Sequence, residues 1–511
     1  MHTPQYFTDY QHFIRTSQYS ILASQYFFMN NSTLIQLFKS LDKADRRQLR
    51  KVVTSPFFNQ KEDVTALFNY IDKHLEAGAP KLMKEKAFAA VYPKQKFDVD
   101  RLYYPMSALT QIILKYLTIN ELEQQTPQYH RLLNRALRKR GAEKIYEKTL
   151  VDSKTYLNEQ PLRNGQFHLD SFMLILGEEF DAKQQLHRDA DFGLQDIANN
   201  FHFYAISEVL RLAVSLLSHQ VVAKKEYNQP LLAAVLTIAE QYLDVPAIAT
   251  QYFAFQTLSA AHQIAPAHST EQTVENAADT EGGFFQKLKK EITDNKKLFP
   301  ETELRDLILV AINYCIRRQN RGELAYIHEA LDLFQLGLKE GVLLESGILS
   351  PYTYKNVLML ALKINKYEWA EQFLVDYKKF LPEKERENLY KYNYAVFSFR
   401  KNDFTTAIQL LQEVNLKEVL FNLDARRMLA RIYYDLNEFN ALDSYIESSK
   451  IYLHRQNDIG YHKEAYTNFF RTLEKFLKSD LHAMSVKDKL RQEVTETQMI
   501  VERDWLLAKL T

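Results

Sequence analysis

Between Pro351 and Gln456 the apolar positions follow a helical period that polar turns interrupt at even intervals. A small or apolar residue is followed nine positions later by an aromatic one, and three positions after that by a second small or apolar residue. Leu358, Tyr367 and Ala370 fit this spacing, as do Ala395, Phe404 and Ala407, and then Ala430, Phe439 and Leu442. Four residues further on the position is apolar each time: Leu374, Leu411 and Ile446. The steps from Ala370 to Ala407 and from Ala407 to Leu442 are 37 and 35 residues, close to a repeat period of about 34. Asn365-Lys366, Lys401-Asn402-Asp403 and Asn437-Glu438 fall between the first two marks, and Asn and Asp favour turns because they tolerate left-handed backbone. The spacing predicts three successive helix hairpins. In each, the small residue lets the second helix approach and the aromatic opens that helix and fills the wedge. One such hairpin cannot bury its apolar face alone, so hairpins of this kind stack.

Ala395, Phe404 and Ala407 resemble the small–aromatic–small marks of the tetratricopeptide repeat, and Pro382 falls where that family often ends a unit. The early Trp of the family is absent, and the second and third units lack the Pro. The resemblance implies an all-α, right-handed α-solenoid of helix hairpins that binds a protein or peptide on a concave face without catalysing a reaction. A helical hairpin array unrelated to that family would have nearly the same architecture. In the repeat family, first-helix positions line the concave face. Carried onto this chain they are Tyr352, Lys355 and Lys363 in the first unit, Tyr392 and Arg400 in the second, and Arg427, Arg431 and Tyr434 in the third. Asp424 and Asp435 are the acidic exceptions. Tyr mixed with Lys and Arg suits an extended acidic or C-terminal-carboxylate peptide, because Arg bonds carboxylates bidentately and Tyr supplies rigid contact area.

Upstream the periodicity is less regular. Residues 1–28 are rich in Tyr, Gln and Ser without a helical stripe, and are expected to be a disordered or non-native extension; Met29 is a candidate start. Leu34, Leu37, Phe38 and Leu41 then begin a helical N-terminal region, 29–125, in which Pro56 breaks a helix carrying Arg46, Arg47, Arg50 and Lys51. Asp98 or Asp100 is placed to cap a long helix ending near Leu122. The pattern Ser55-Pro-Phe-Phe-Asn59, Lys84-Glu-Lys-Ala-Phe88, Tyr92-Pro93, Phe97-Asp98 and Arg101-Leu102, with Arg138 to Gly141 and Gln160-Pro161, resembles a group of uncharacterised helical proteins from Bacteroidetes-type bacteria. That resemblance implies kinship and no activity. Residues 126–265 read as irregular hairpins, one turning at Gly141 and another interrupted at Pro246. Residues 266–283 contain small and polar residues and one Val, too little apolar area to order a segment, and read as a flexible loop. Residues 284–511 form the array with a C-terminal capping helix, opened by Ser485 with Asp488 at capping-box spacing and carrying Val486, Leu490, Val494, Val501 and Trp505 near one face.

Composition narrows the function classes. The 511 residues include only 12 Gly and 13 Pro, well under ordinary usage of about 7% and 5%. Phosphate-cradling loops and tight β-hairpins need Gly, so nucleotide-binding α/β and all-β folds are disfavoured. A net charge of +1, from 65 basic and 64 acidic residues, argues against a dedicated nucleic-acid binder. Cys315 is the single cysteine, so no disulfide framework exists. Neither a membrane-spanning run of apolar residues nor a secretory leader is evident, and the cytoplasm is the expected compartment.

Candidate chemistry is sparse. His328-Glu329 is followed by Asp332 rather than a second His, so the zinc-protease spacing is not met. The carboxylate-rich stretch Glu178, Glu179, Asp181, His187, Asp189 and Asp191 lacks the facing Glu-x-x-His pair of a bundle di-metal site. His262 and His268 do not make a ligand set. Cys315 lies in an apolar helical run and reads as a core thiol. Basic clusters occur at Arg46–Lys51, at Arg131, Arg135, Arg138, Lys139 and Arg140, and at Arg317, Arg318 and Arg321. The Arg46–Lys51 and Arg131–Arg140 surfaces leave a nucleic-acid-associated or regulatory role open beside the scaffold reading, and an enzyme with an unrecognised site is a further alternative. No cofactor or metal is expected.

Overall fold

The computed structural model describes residues 28–76, 82–123, 127–176, 193–223, 225–263, 278–456, 459–480 and 483–511. The described residues are mainly helical, and among them the only ladder is a two-residue antiparallel pair, β1 (Leu344–Glu345) with β2 (Ile348–Leu349). It divides into two compact units. One comprises Met1–Gln160 and Asp170–Ile197, the other Pro161–Leu169 and Ala198–Thr511.

In the first unit, α1 (Thr33–Ser40), α2 (Lys43–Val53), α3 (Glu62–Glu76) and α4 (Lys84–Val91) all pack on the long α5 (Val99–Leu122). Asp98 caps α5, accepting from the backbone N–H of Asp100 at 3.0 Å and of Arg101 at 3.2 Å. The core runs from Met29 through Phe38, Phe68 and Phe88 to Ile113. Met29 is fully buried there and its N–H donates to the Leu82 carbonyl at 2.8 Å. Phe28 makes an isolated bridge to Met83, so the residue before Met29 already belongs to the described structure; residues 1–27 lie outside the described residues. A hairpin follows, α6 (Pro127–Arg138) and α7 (Glu143–Glu159), turning at Gly141, whose φ of 65° is left-handed. Arg46 and Arg50 both reach the buried Asp72 and so are tied inside this unit rather than presented as a free basic face.

The second unit takes in α8 (Gly165–Ile175) only up to Leu169, and α9 (Leu194–Ala223) from Ala198. It continues with α10 (Leu232–Ala239), α11 (Pro246–Gln263), α12 (Ala278–Asn295), α13 (Glu301–Asn320), α14 (Ala325–Lys339), α15 (Pro351–Lys363), α16 (Tyr367–Tyr377), α17 (Arg386–Arg400), α18 (Phe404–Glu413), α19 (Val419–Asp435), α20 (Phe439–Arg455), α21 (Tyr461–Lys478), α22 (Met484–Glu496) and α23 (Arg503–Ala508). From α11 to α21 each helix packs on the one or two that follow it. α9 is long and apolar enough to meet a composition test for a membrane span. An uninterrupted apolar run does not reveal this, because polar residues punctuate the helix. Ile206, Leu210, Ala213 and Val214 are nevertheless buried in the protein core.

The repeat marks behave as spaced. Leu358, Ala370, Leu374, Ala395, Ala407, Ala430, Leu442 and Ile446 are each 0% exposed. Burial of this kind contributes roughly 1.5–3 kcal/mol per large apolar side chain. Tyr367, Phe404 and Phe439 open α16, α18 and α20. Phe439 is half exposed, however, so the third aromatic does not fill its wedge. The three turns share one geometry. Asn365, Asn402 and Asn437 have φ of 58°, 61° and 60°. The N–H after each reaches back five residues, Lys366 to Ala361 at 2.9 Å, Asp403 to Ser398 at 2.9 Å and Glu438 to Tyr433 at 2.8 Å. This is the left-handed helix stop that satisfies otherwise orphaned carbonyls.

Two expected boundaries shift. The backbone of 278–283 is already helical, as the first turn of α12, and the remainder of the expected loop, 266–277, lies outside the described residues. Phe285, Leu288 and Ile292 bury the next turns of α12, and extending an established helix by a turn costs little. At the C-terminus the single capping helix is two helices. Ala483, with no side-chain cap, precedes α22, so the Ser485–Asp488 box does not form. Glu502, at φ 60°, turns the chain into α23.

Candidate functional site

α15, α17 and α19 are the first helices of the three regular hairpins, and all eight expected binding residues lie within them, with Lys363 closing α15, Arg400 closing α17 and Tyr434 near the end of α19. The structure brings Lys355, Tyr392, Arg400, Arg427 and Arg431 into one electrostatic cluster, and three carboxylates enter it.

Asp424 is the centre. Its Oδ2 accepts from Lys355 Nζ at 2.8 Å and from the Tyr392 hydroxyl at 2.5 Å, and its Oδ1 accepts from Arg427 Nε at 2.8 Å. Burial alone would raise the Asp424 carboxyl. Arg427, Lys355 and the bonds from Lys355 and Tyr392 outweigh it and hold the group well below the usual carboxylate range. Tyr392 is fully buried, and burial followed by the Asp424 charge pushes its hydroxyl up. It therefore positions Asp424 and does not present itself to a partner, which corrects its expected role.

Glu502 is the second anchor. Its carboxylate pairs with Arg427, and Arg431 Nη1 donates to its Oε2 at 2.9 Å. Asp435 completes the set, 3.7 Å from Arg431 Nε, 2.8 Å from Lys509 Nζ, and accepting from Trp505 Nε1 at 3.2 Å. Arg431 also lies over the rings of Phe399 and Trp505. Arg427 and Arg431 are thus engaged by the chain's own C-terminal segment, and the expectation that they stand open for a partner's carboxylate is corrected. Tyr434 is corrected likewise: half-buried, it packs between Phe439, Phe476 and Trp505. Nothing near Arg427 in sequence announces Glu502, 75 residues away, so sequence spacing had no signal for it.

Lys363 and Arg400 remain exposed, and among the described residues neither has a carboxylate within ion-pair reach. Partial burial, then the neighbouring Arg400, lowers the Lys363 pKa; partial burial, then Arg427, lowers that of Arg400. The two cations repel one another at the C-terminal ends of α15 and α17.

At the opposite ends of the same helices lies a cleft of about 340 Å³ lined by Tyr352, Leu389, Leu416 and Phe421, with Lys384 and Glu385 among its polar residues. Tyr352 is 47% exposed, packs its ring 5.4 Å from that of Phe421, and donates its hydroxyl to Glu418 at 3.2 Å. Of the eight expected residues it is the one whose aromatic surface stands open. Lys355 extends over Tyr392 and Phe421, linking cleft to charge cluster.

A separate cavity of about 330 Å³ lies among α8, α9, α11 and the start of α13. There Glu303 accepts from Asn164 Nδ2 at 2.9 Å and Gln251 Nε2 at 2.8 Å, and Glu208 is bonded by Arg211. These groups come from four distant segments, and the sequence pattern had not singled them out.

Other candidates resolve into structure. Glu329 and Asp332 pair with Lys289, and among the described residues no three His, Cys, Asp or Glu side chains group as a metal site. Cys315 is buried, and burial raises its thiol pKa. Arg318 pairs with Glu323 at 2.6 Å. The stretch Glu178–Asp191 and His268 lie outside the described residues, as does the side chain of His262.

A comparison with models of known protein families finds none that matches this chain, and a comparison with curated proteins finds no match either.

Proposed function

We propose that this protein is a non-catalytic scaffold, a tetratricopeptide-like right-handed α-solenoid that holds an extended peptide of a protein partner along α15, α17 and α19. Nearest-neighbour packing of helices and three identical left-handed turns support the solenoid reading. The observation that carries the binding reading is the cleft at Tyr352, Leu389 and Phe421, open and aromatic at one end of the face whose other end carries the unpaired cations Lys363 and Arg400. An apolar side chain fits the cleft and an acidic group answers the cations.

The helix sets the spacing between them. Leu389 and Arg400 both lie on α17, eleven residues apart, which is about 16 Å along the axis. An extended chain covers that in about five residues. The partner peptide then carries an apolar or aromatic residue about five positions from an acidic one. Selection from a random displayed-peptide library tests this. Enriched peptides should share that spacing, and Tyr352→Ala and the pair Lys363→Ala with Arg400→Ala should each abolish enrichment. Enrichment indifferent to all three changes, or selected peptides without an acidic position, refutes the reading.

A further inference from the structure

Overall charge balance conceals one local excess. Between Pro127 and Ala142 there are five basic residues, Arg131, Arg135, Arg138, Lys139 and Arg140, and no acidic one. Helix periodicity places Arg131, Arg135, Arg138 and Lys139 within about a quarter turn to either side of one line along α6. Arg135, Lys139 and Arg140 are exposed and Arg131 is half-buried. Among the described residues Arg131, Arg135 and Lys139 have no ion-pair partner, although α7 beside them carries Glu143, Glu147 and Asp152. Cations in the last turn of α6 are favoured by the helix dipole, and Arg140 also donates to the Ala136 carbonyl at 2.9 Å. Arg131, only five residues into the helix, gains nothing from the dipole, so the row exceeds what helix stability accounts for.

The other side of α6 is spent on α7. Asn134 is fully buried and donates to Ser153 Oγ at 3.0 Å, and His130 contacts the same oxygen at 3.2 Å. Leu133 and Leu137 are half-buried, and Leu132 is the one large apolar side chain of α6 that is exposed. On α7, Ile145 and Val151 are exposed but point about 120° apart. A helix that lies in a bilayer needs a broad free apolar face, and α6 does not offer one. What it offers is a row in which Arg131, Arg135 and Lys139 have no ion-pair partner among the described residues, about 12 Å long, the length of duplex axis over which one strand carries three to four phosphates at about 3.4 Å of axis each.

We propose that the exposed face of α6 is a docking surface for the phosphate backbone of a nucleic acid, bound by charge and without base readout. This is independent of the peptide-binding reading and uses none of its residues.

The test measures anisotropy of labelled duplexes of about 20 base pairs, one of DNA and one of RNA, titrated with the full chain over a salt series. Binding of either duplex supports the proposal, and the two arms identify which backbone is preferred. With about four phosphate contacts, log Kd should change with log salt at a slope near 4, so that affinity falls roughly 10²-fold between 50 and 200 mM salt. The triple change Arg131→Ala, Arg135→Ala and Lys139→Ala should weaken binding at least about 10-fold at low salt and remove about three from the slope. The control Arg131→Lys with Arg135→Lys keeps the charge and should bind within about 3-fold of the parent chain. Circular dichroism melts establish that the variants are folded. The proposal is overturned by failure of both duplexes to bind at 50 mM salt, by binding unchanged in the alanine variant, or by equal loss in the lysine control. Binding to phosphatidylserine vesicles without binding to duplex would overturn it in favour of a membrane surface.

Discussion

Glu502 offers a direct measure of how the C-terminal segment is held. Its carboxylate meets two guanidiniums, Arg427 and Arg431. The side chains of Glu502 and Arg427 are each 14% exposed. Fully exposed pairs contribute about 0–1 kcal/mol, whereas breaking a buried pair costs about 3–5 kcal/mol. This pair sits near the lower end of the buried range, so Glu502→Gln should destabilise the C-terminal part by about 3 kcal/mol. Arg427→Met should cost a similar amount, because it leaves Glu502 and Asp424 with one guanidinium fewer. The two changes remove the same contact, so the double variant should be more stable than their sum by about 2 kcal/mol. The protein contains two tryptophans, Trp369 and Trp505. In a Trp369→Phe background the remaining indole lies over Phe469 and under Arg431 and reports on this segment alone. Urea titration followed by its fluorescence gives the local transition, which is the appropriate quantity in a chain of two compact units. Additivity within about 0.5 kcal/mol, or a Trp505 transition unmoved by Glu502→Gln, would refute the internal ion-pair account.

Two further outcomes are expected. Asn402 holds a left-handed conformation at φ 61°, so Asn402→Ala should lower stability by about 1 kcal/mol, while Asn402→Gly should be neutral or better; equal losses in thermal melts would contradict the turn assignment. Burial lowers the pKa of His130 and of His168. The unfolded chain therefore binds more protons than the folded one as pH falls through the unfolded value of about 6.5. The stability these groups contribute is complete above that value and declines below it. His130→Gln should flatten the fall in melting temperature between pH 7.5 and 5.5 by part of its extent, and a fall of unchanged steepness would exclude His130 as a source.

How much was legible beforehand depended on the range of the interactions involved. Each hairpin of the regular array is written in a local code: an apolar stripe of helical period, an Asn able to take positive φ, an aromatic opening the next helix. Every one of those signals acts within a dozen residues, and the helices α15 to α20 begin and end where they indicate. The Asp98 cap, the Gly141 turn and the burial of Cys315 were legible for the same reason. The same code fails at the chain's end, where Ser485 and Asp488 satisfy a capping pattern that tertiary packing of Leu490, Val494, Trp505 and Leu506 does not use.

The binding face was different. Spacing identified which residues share the first helices, and that much follows from a period of 3.6 residues per turn. Whether a charge on that face is free depends on what faces it across space. Glu502 reaches Arg427 and Arg431 from the far end of the sequence, Asp424 draws Lys355 and Tyr392 inward, and Trp505 covers Arg431. Lys363 and Arg400, identical in kind to the others by sequence, are left unpaired. Charge compensation is a property of three-dimensional proximity, with energies set by burial, and no local pattern encodes either. The sequence determined the helices and their order, and the tertiary structure decided which of their cations remain available.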